Sequence, residues 1–323
     1  MSKLLCRFTY LMLLGIMTFL LTTACSQSSS EQSQSFVQPT SDCRMIQHSM
    51  GRTCVPKNPQ RVATIFHATL GNVLSLGIKP IASSVIDIQH PFPAYLHNQV
   101  KDIELLGSQN APNLERILML KPDLILVWQN IQAIYPLLSQ ISPTVIVPWY
   151  GPAPWREQIE VITKVLGKEE QAQKIWKHYY QRVNELKTVL GKRYQNKNIS
   201  VVSPSSQWGF FIQAKNSFAG SILSDIGLQR PKLQDINTRT GYITFQSEEN
   251  LKMIDADIIF VLYFRKEDKQ AFEETLQTPL GKNLKVVRQG RIYYVDGLSW
   301  NGGTLLAADA VIDDLYKYLV NAS

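Results

Sequence analysis

Arginines and aromatic residues follow several of the short apolar runs of this sequence. A guanidinium can hold a carboxylate through two parallel hydrogen bonds, and aromatic rings can cover the apolar parts of a ligand. Together they suit a flat or bulky anionic ligand. We predict that the ligand contacts come from His67, Trp128, Tyr150, Trp208, Arg239, Tyr242, Arg265 and Trp300.

Ordinary structural roles compete with each of these assignments. A tryptophan after a strand is often part of a core, and Arg265 stands beside Lys266, Glu267 and Asp268, where it could simply be solvated. The sequence contains no nucleophile elbow, no dinucleotide or phosphate loop and no His-Glu-x-x-His, so we predict that the protein is not an enzyme.

Strands alternating with helices must position these side chains. The strand candidates are Val62–Phe66, Ile81–Val85, Leu124–Trp128, Val145–Pro148, Ile199–Ser203, Ile258–Phe264 and Arg291–Val295. The helix candidates are Leu70–Leu76, Leu114–Leu120, Ile131–Ser139, Phe218–Ile226, Glu249–Ile254 and Thr304–Leu319. This alternation predicts parallel sheets with helical cover, in which ligands bind beyond the carboxyl ends of the strands.

The two halves of the chain repeat one pattern. The segment 113–127 can be laid on 247–261, which pairs Glu115 with Glu249 and Asp123 with Asp257. In both, a glutamate precedes an apolar helix and an aspartate eight positions later opens a strand. Any helix-loop-strand unit could look alike, but the identical spacing favours two equivalent lobes.

A long helix is predicted between the lobes. Apolar residues from Ala172 to Leu190 recur every three or four positions, and Gly167 separates this stripe from a helix that starts near Trp155. Residues 168–190 would extend about 34 Å, enough to contact both lobes. We therefore predict an α/β fold of two Rossmann-like lobes, with a ligand cleft between them and one long α-helix joining them.

The N-terminus indicates export. Lys3 and Arg7 precede an apolar run, and small residues stand directly before Cys25. This order predicts a cleaved signal, with a retained anchor helix as the alternative. Residues 26–40 are rich in serine and glutamine and predict a flexible tether. The net charge is +7, or +5 without Lys3 and Arg7, and no dense basic block suggests nucleic-acid binding.

The chain has four cysteines, of which Cys6 and Cys25 belong to the predicted signal and its cleavage site. The other two, Cys43 and Cys54, lie in the folded part of the chain. They flank a plausible turn at Met50-Gly51, so two short strands could join them as a disulfide in an oxidising compartment. A zinc site that includes His48 is the alternative, although these three residues fall short of a closed site.

The motifs, taken in order, resemble those of the iron–siderophore class of periplasmic substrate-binding proteins of ABC importers, and the iron(III) dicitrate type in particular. The segments that carry the resemblance are 48–51, 55–62, 76–81, 113–115, 121–123, 247–251 and 290–296. The resemblance covers the chain from Cys43 to the C-terminus. It implies lobes at 43–154 and 193–323, connecting helices at 155–192 and a ligand cleft between the lobes.

The resemblance also implies roles for particular residues. Cys25 would be the lipidated first residue after a signal peptide at 1–24, with 25–42 as the tether. Glu115 and Glu249 would dock onto arginines of the permease, whereas on their own they could be ordinary helix N-terminal charges. The protein would be a periplasmic monomer that binds a ferric siderophore or ferric citrate, without a cofactor.

Other ligands and roles stay open at this point. Related receptors take cobalamin or haem, and a bare divalent metal is a further alternative. Because no histidine follows His178, the second lobe could offer such a metal only carboxylates. A purely structural lipoprotein is the remaining alternative to transport.

Overall fold

A computed structural model describes residues 42–86, 91–96, 98–149 and 155–321. Its first elements are two antiparallel strands, β1 (Cys43–His48) and β2 (Gly51–Pro56). A disulfide joins Cys43 to Cys54 across this hairpin, as predicted. The zinc alternative is wrong, because both sulfurs are bonded to each other and His48 Nε2 lies 2.8 Å from Thr53 Oγ1.

A six-stranded sheet forms the first lobe. Its strands are β3 (Val62–Ile65), β4 (Ala82–Val85), β5 (Glu104–Ser108), β6 (Ala111–Pro112), β7 (Leu124–Trp128) and β8 (Thr144–Val147). They lie in the order β6-β5-β4-β3-β7-β8, and all neighbours are parallel except β5 and β6. Its helices are α1 (His67–Ser75), α2 (Leu114–Leu120) and α3 (Tyr135–Ile141). Every residue of β3, β4, β7 and β8 is buried, and β7 has the continuous apolar sequence expected of a strand that is covered on both faces.

Two helices then lead to the second lobe, α4 (Trp155–Leu166) and α5 (Glu169–Leu190). Gly167, with φ of +62°, breaks the chain between them as predicted. Ala172 of α5 packs in the core of the first lobe, Val183 and Leu186 pack in the core of the second, and Ile175 contacts both. The long helix therefore bridges the two lobes.

A separate five-stranded mixed sheet forms the second lobe. Its strands are β9 (Ile199–Ser205), β10 (Gly209–Gln213), β11 (Tyr242–Phe245), β12 (Ile258–Tyr263) and β13 (Ile292–Asp296). The order is β11-β10-β9-β12-β13, with β10 antiparallel to both of its neighbours. Its helices are α6 (Phe218–Ile226), α7 (Lys266–Gln277), α8 (Pro279–Lys282), α9 (Lys285–Gln289), α10 (Gly297–Trp300) and α11 (Leu305–Leu315).

Shorter helical turns cover parts of the predicted helix candidates. Glu248–Ile254 is a 3₁₀ helix rather than an α-helix, and so is Gln129–Ile134 before α3. A third 3₁₀ turn covers Ala94–Leu96, and a π-helical turn, Tyr316–Val320, follows α11. None of the helices in the described part of the chain is long and apolar enough to cross a membrane.

The predicted repeat has a structural basis in two aspartates. Asp123 accepts hydrogen bonds from the backbone N–H groups of Gln60 and Arg61, which precede β3. Asp257 accepts one from the N–H of Asn198, which precedes β9. Each carboxylate therefore ties the start of one central strand to its parallel neighbour.

Candidate functional site

An aromatic cluster lies at the carboxyl edge of the first sheet. Phe66, directly after β3, stacks on Trp128 with ring centroids 4.5 Å apart and planes 2° apart. Trp149, after β8, meets Phe66 edge-on at 4.7 Å. Because β3, β7 and β8 are parallel neighbours, their ends bring these three side chains together. We call Phe66, His67, Trp128 and Trp149 the aromatic edge.

His67 contributes a neutral polar group to the aromatic edge. It is the first residue of α1, half-buried, with Nδ1 3.2 Å from Oε1 of Gln109 and its ring 4.4 Å from that of Phe66. Burial lowers the pKa of His67 to about 4, although the hydrogen bond to Gln109 opposes the shift. At neutral pH this histidine is uncharged, so it can donate or accept a hydrogen bond with a ligand but cannot form an ion pair with an anionic one.

Trp128 is 8% exposed, and its Nε1 has no hydrogen-bond partner among the residues that the structure describes. A buried N–H without an acceptor costs free energy, so such a group is usually satisfied by water or a ligand. The indole ring of Trp128 packs in the core of the first lobe. Its N–H group is available to donate a hydrogen bond at the aromatic edge.

The second lobe presents Trp208 and Arg265 at the carboxyl edge of its parallel strands. Trp208 lies in the turn after β9 and is 64% exposed. Arg265 donates from Nε and Nη2 to the carboxylate of Asp268 at 3.0 and 2.9 Å. Burial acts to raise the pKa of Asp268, but its hydrogen bonds with Arg265 and Ser206 outweigh burial and lower it. Arg265 is therefore partly committed to holding the start of α7.

Tyr242 reaches the loop that follows α10. Its hydroxyl donates to Oδ1 of Asn301 at 3.0 Å, and the ring of Phe211 meets it at 6.0 Å. Burial raises the pKa of Tyr242, so the phenol stays protonated and neutral. Arg239, three residues earlier, is exposed and makes no recorded ion pair within the described ranges.

Trp300 requires a correction. Its side chain is fully buried, stacks on Phe260 at 4.6 Å and donates from Nε1 to Asp314 at 2.8 Å. It is a core residue of the second lobe, because α10 turns its side chain under the sheet. The neighbouring Asn301 instead accepts the hydrogen bond of Tyr242. Tyr150 lies outside the described residues.

The carboxyl edges of the two sheets meet at the loop Asn301–Thr304. A Cβ atom built on Gly303 would lie 3.1 Å from the ring of Trp149. Sequence reasoning missed this loop, together with Phe66 and Gln109. The glycine pair before the N-cap Thr304 was the signal that could have indicated a close approach of two chain segments.

Glu115 and Glu249 occupy equivalent exposed positions. Each is the second residue of its helix, after Asn113 and Ser247, whose side chains cap the helices by accepting from the N–H of Arg116 and Glu249 respectively. A carboxylate at this position is favoured by the helix dipole. The pairing of the two residues predicted from the sequence repeat is therefore present in the fold.

A cavity of about 630 Å³ lies between Tyr95 and α11, and its lining includes neither the aromatic edge nor Trp208, Tyr242 or Arg265. Its acidic side chains are largely engaged, since Arg182 pairs with Asp309 and Asp313. An acidic lining does not suit an anionic ligand. Within the described ranges, no group of three or more His, Cys, Asp or Glu side chains could hold a metal ion.

Sequence and structure relate the chain to known proteins over most of its length. Residues 62–297 match the family described as periplasmic binding protein. The chain is 30% identical over 319 residues to the probable siderophore-binding lipoprotein YfiY of Bacillus subtilis, which covers 94% of this chain and 96% of that protein. It is 30% identical over 289 residues to the Fe(3+)-citrate-binding protein YfmC of the same bacterium, covering 88% of each. The crystal structure of Staphylococcus aureus SirA complexed with staphyloferrin B matches with a TM-score of 0.75 at 30% identity, covering 85% of this chain and 98% of that one.

Proposed function

The chain belongs to the periplasmic binding protein family, and from that premise we propose that it captures a ferric siderophore or ferric citrate-type chelate between its two lobes and delivers it to the permease of an ABC importer. It is a substrate-binding protein and not an enzyme. The iron is cargo, and its chelator supplies the metal ligands, so the function needs no cofactor.

The aromatic edge is the observation that carries this proposal. It offers flat rings, a neutral histidine and an N–H donor beside a junction with the second lobe, where Tyr242 and Asn301 add polar groups. Exposed Trp208 and the guanidiniums of Arg239 and Arg265 would complete a site for an anionic chelate. The relatives named above are described by the siderophore or ferric citrate that they bind.

A panel of ligands tests the class of cargo. The purified full chain is heated with ferric citrate, a ferric hydroxamate, a ferric catecholate, cobalamin or haem, and with free divalent metal ions. A ligand at 100 times its dissociation constant should stabilise the fold by about 2.7 kcal/mol. A response to free metal ions alone, or to none of these compounds, would overturn the proposal.

A matched pair of tryptophan variants tests the location of the site. Trp208→Ala removes an exposed ring, so it should weaken binding of the responding chelate about tenfold without changing the melting temperature of the free protein. Trp176→Leu changes a ring that packs on Trp155 and Tyr179 and does not belong to the aromatic edge, so it should leave the affinity unchanged. Equal affinities in the two variants would place the ligand elsewhere.

We also propose that the chain is exported and held at the membrane as a lipidated monomer. The small residues before Cys25 and the lipoprotein description of YfiY support this. Cys25→Ser should release the protein from the membrane fraction into the soluble exported fraction. Retention of Cys25→Ser in the membrane fraction would favour an uncleaved anchor helix instead.

A further inference from the structure

Three glycines line the contact between the two lobes, where α1 packs against α11 and the loop before it. A Cβ on Gly71 would lie 2.8 Å from Cγ2 of Thr304, and one on Gly303 would lie 3.1 Å from Trp149. One on Gly302 would lie 2.5 Å from Cβ of Ala307 and 2.9 Å from the carbonyl oxygen of Leu298, both in the second lobe, and 3.0 Å from the hydroxyl of Tyr95 in the first. We call Gly71, Gly302 and Gly303 the glycine seam.

The seam connects both halves of the candidate ligand site. A Cβ on Gly303 would meet Trp149, and Trp149 packs edge-on against Phe66 of the aromatic edge. Two residues before Gly303, Asn301 accepts the hydrogen bond of Tyr242. The distance between the lobes at this seam therefore fixes the distance between the surfaces that would hold a ligand.

We propose that the glycine seam sets the spacing of the lobes, and that Gly71 and Gly303 are positioning residues for ligand capture. The ligand part of this statement rests on the function proposed above, whereas the spacing part does not. Carbon atoms in contact prefer a separation of about 3.5–4.0 Å, so a methyl group on Gly71 must widen the seam by about 1 Å. The lobes then tilt, and the separation of their surfaces changes further.

Gly71→Ala is the most informative variant, because Gly71 lies inside α1 and alanine favours a helix. Its effect must therefore come from the contact with Thr304. Thr304→Ser removes the Cγ2 methyl group but keeps the hydroxyl that accepts from the N–H of Ala307 and caps α11. The double variant Gly71→Ala/Thr304→Ser should restore the original spacing.

Gly303→Ala provides a second, independent wedge against Trp149. Gly303 has a φ of +66°, so alanine also introduces backbone strain there. Gly290→Ala is the matched control, since Gly290 has a φ of +65° and nothing within 4 Å of an added Cβ. The backbone strain that both variants share should lower the melting temperature by on the order of 2–4 °C, and the contact with Trp149 should add to the loss in Gly303→Ala. Only Gly303→Ala should change the spacing.

Distances between spin labels measure the spacing directly in the full chain. The labels are attached to ketone-bearing amino acids at the exposed positions 115 and 249, one on each lobe, which leaves the cysteines untouched. We expect Gly71→Ala and Gly303→Ala to shift the mean distance between the labels by about 2 Å. The shift exceeds the widening of about 1 Å at the seam because the lobes also tilt. Gly290→Ala and the Gly71→Ala/Thr304→Ser pair should match the unmodified protein.

Unchanged distances in both wedge variants would overturn the proposal, and so would a shift of equal size in Gly290→Ala. If Gly303→Ala fails to fold, Gly71→Ala with its rescue decides the outcome alone. A second arm measures ferric citrate affinity, which should fall about tenfold in the wedge variants and recover in the rescued pair. If the unmodified protein binds none of the chelates, the proposed function fails while the distance measurement still decides the role of the seam.

Discussion

At the scale of single residues, His67 couples the candidate site to pH. Its pKa in the folded protein is about 4, below the 6.5 of an exposed histidine, because burial disfavours the charged ring. The unfolded chain therefore binds a proton more readily between these two values. The stabilising effect of a neutral His67 is complete above pH 6.5 and is lost as the pH falls towards 4.

His67→Gln should reduce the sensitivity of the fold to acid. One proton can change the free energy of unfolding by at most about 1.4 kcal/mol per pH unit, so the unmodified protein should lose more stability between pH 7 and pH 5 than the variant does. Urea unfolding at both pH values measures the difference. Some acid sensitivity should remain in the variant, because burial also lowers the pKa of His48. Equal losses in the two proteins would contradict the burial argument.

Trp128 and Trp300 show what residue type alone could not decide. Trp128 is the last residue of β7, Trp300 comes four residues after β13, and both were expected at the ligand. Trp128 ends a strand whose side chains reach the carboxyl edge, whereas α10 carries Trp300 under the sheet, where Asp314 satisfies its N–H. The short helix α10 depends on capping by Asp296 and on contacts between elements distant in sequence, so periodicity could not predict it.

At the scale of elements, patterns that one segment satisfies by itself were predictable. The apolar stripe of α5, the helix α6 at Phe218–Ile226 and the apolar strand β7 all appear as expected. The antiparallel pairing of β10 with β11 was not predicted, because 28 residues, including α6, separate the two strands and the register depends on tertiary contacts.

The strand-tethering aspartates should stabilise each lobe separately. Asp257→Ala removes the acceptor for the N–H of Asn198 and the ion pair with Lys285 at 2.7 Å, and Asp123→Ala removes the acceptor for two N–H groups. Leaving a backbone N–H unsatisfied costs about 1–3 kcal/mol, so each variant should lower the free energy of unfolding by that amount. Chemical denaturation checks both.

A surface pair offers the control for these two variants. Lys79 contacts Asp102 at 3.3 Å with both side chains well exposed, so Lys79→Ala should cost less than about 1 kcal/mol. The three variants should bind chelate equally well, because the changes lie at the amino ends of the strands or on the surface. If Asp257→Ala lowers the free energy of unfolding by as little as Lys79→Ala does, Asp257 does not tether the strands.

The disulfide should matter mainly for the N-terminal hairpin. The double variant Cys43→Ser/Cys54→Ser removes the cross-link between two residues that are 11 positions apart. The entropy of closing such a loop predicts that the free energy of unfolding falls by up to about 3 kcal/mol. The hairpin is also held by Thr53, whose hydroxyl donates to the carbonyl of Thr144 at 2.9 Å. We therefore expect faster amide hydrogen exchange in β1 and β2 but not in β9 and β12. Faster exchange in both lobes alike would show that the disulfide stabilises the whole fold.

At the scale of the whole molecule, one rigid connector and one tight seam link two lobes that each carry an exposed glutamate. α5 contacts both cores, and the seam fixes how the carboxyl edges meet. Glu115 and Glu249 are thus held on separate lobes at a separation that depends on lobe spacing. A partner with two matching cationic sites could distinguish one spacing from another.

We predict that the protein docks onto the permease through these two carboxylates, one on each lobe. Glu115→Ala with Glu249→Ala should abolish cellular uptake of radioactive iron supplied as the responding chelate, because each lobe loses its charged contact. The affinity of the purified protein for the chelate should not change, since both side chains are exposed and lie outside the aromatic edge. Glu248→Ala is the matched control: Glu248 is also exposed but precedes the position equivalent to Glu115, so its loss should leave uptake intact. Full uptake in the double variant would show that the two glutamates only stabilise the N-termini of their helices. Reduced affinity for the chelate would show that they contact the ligand instead.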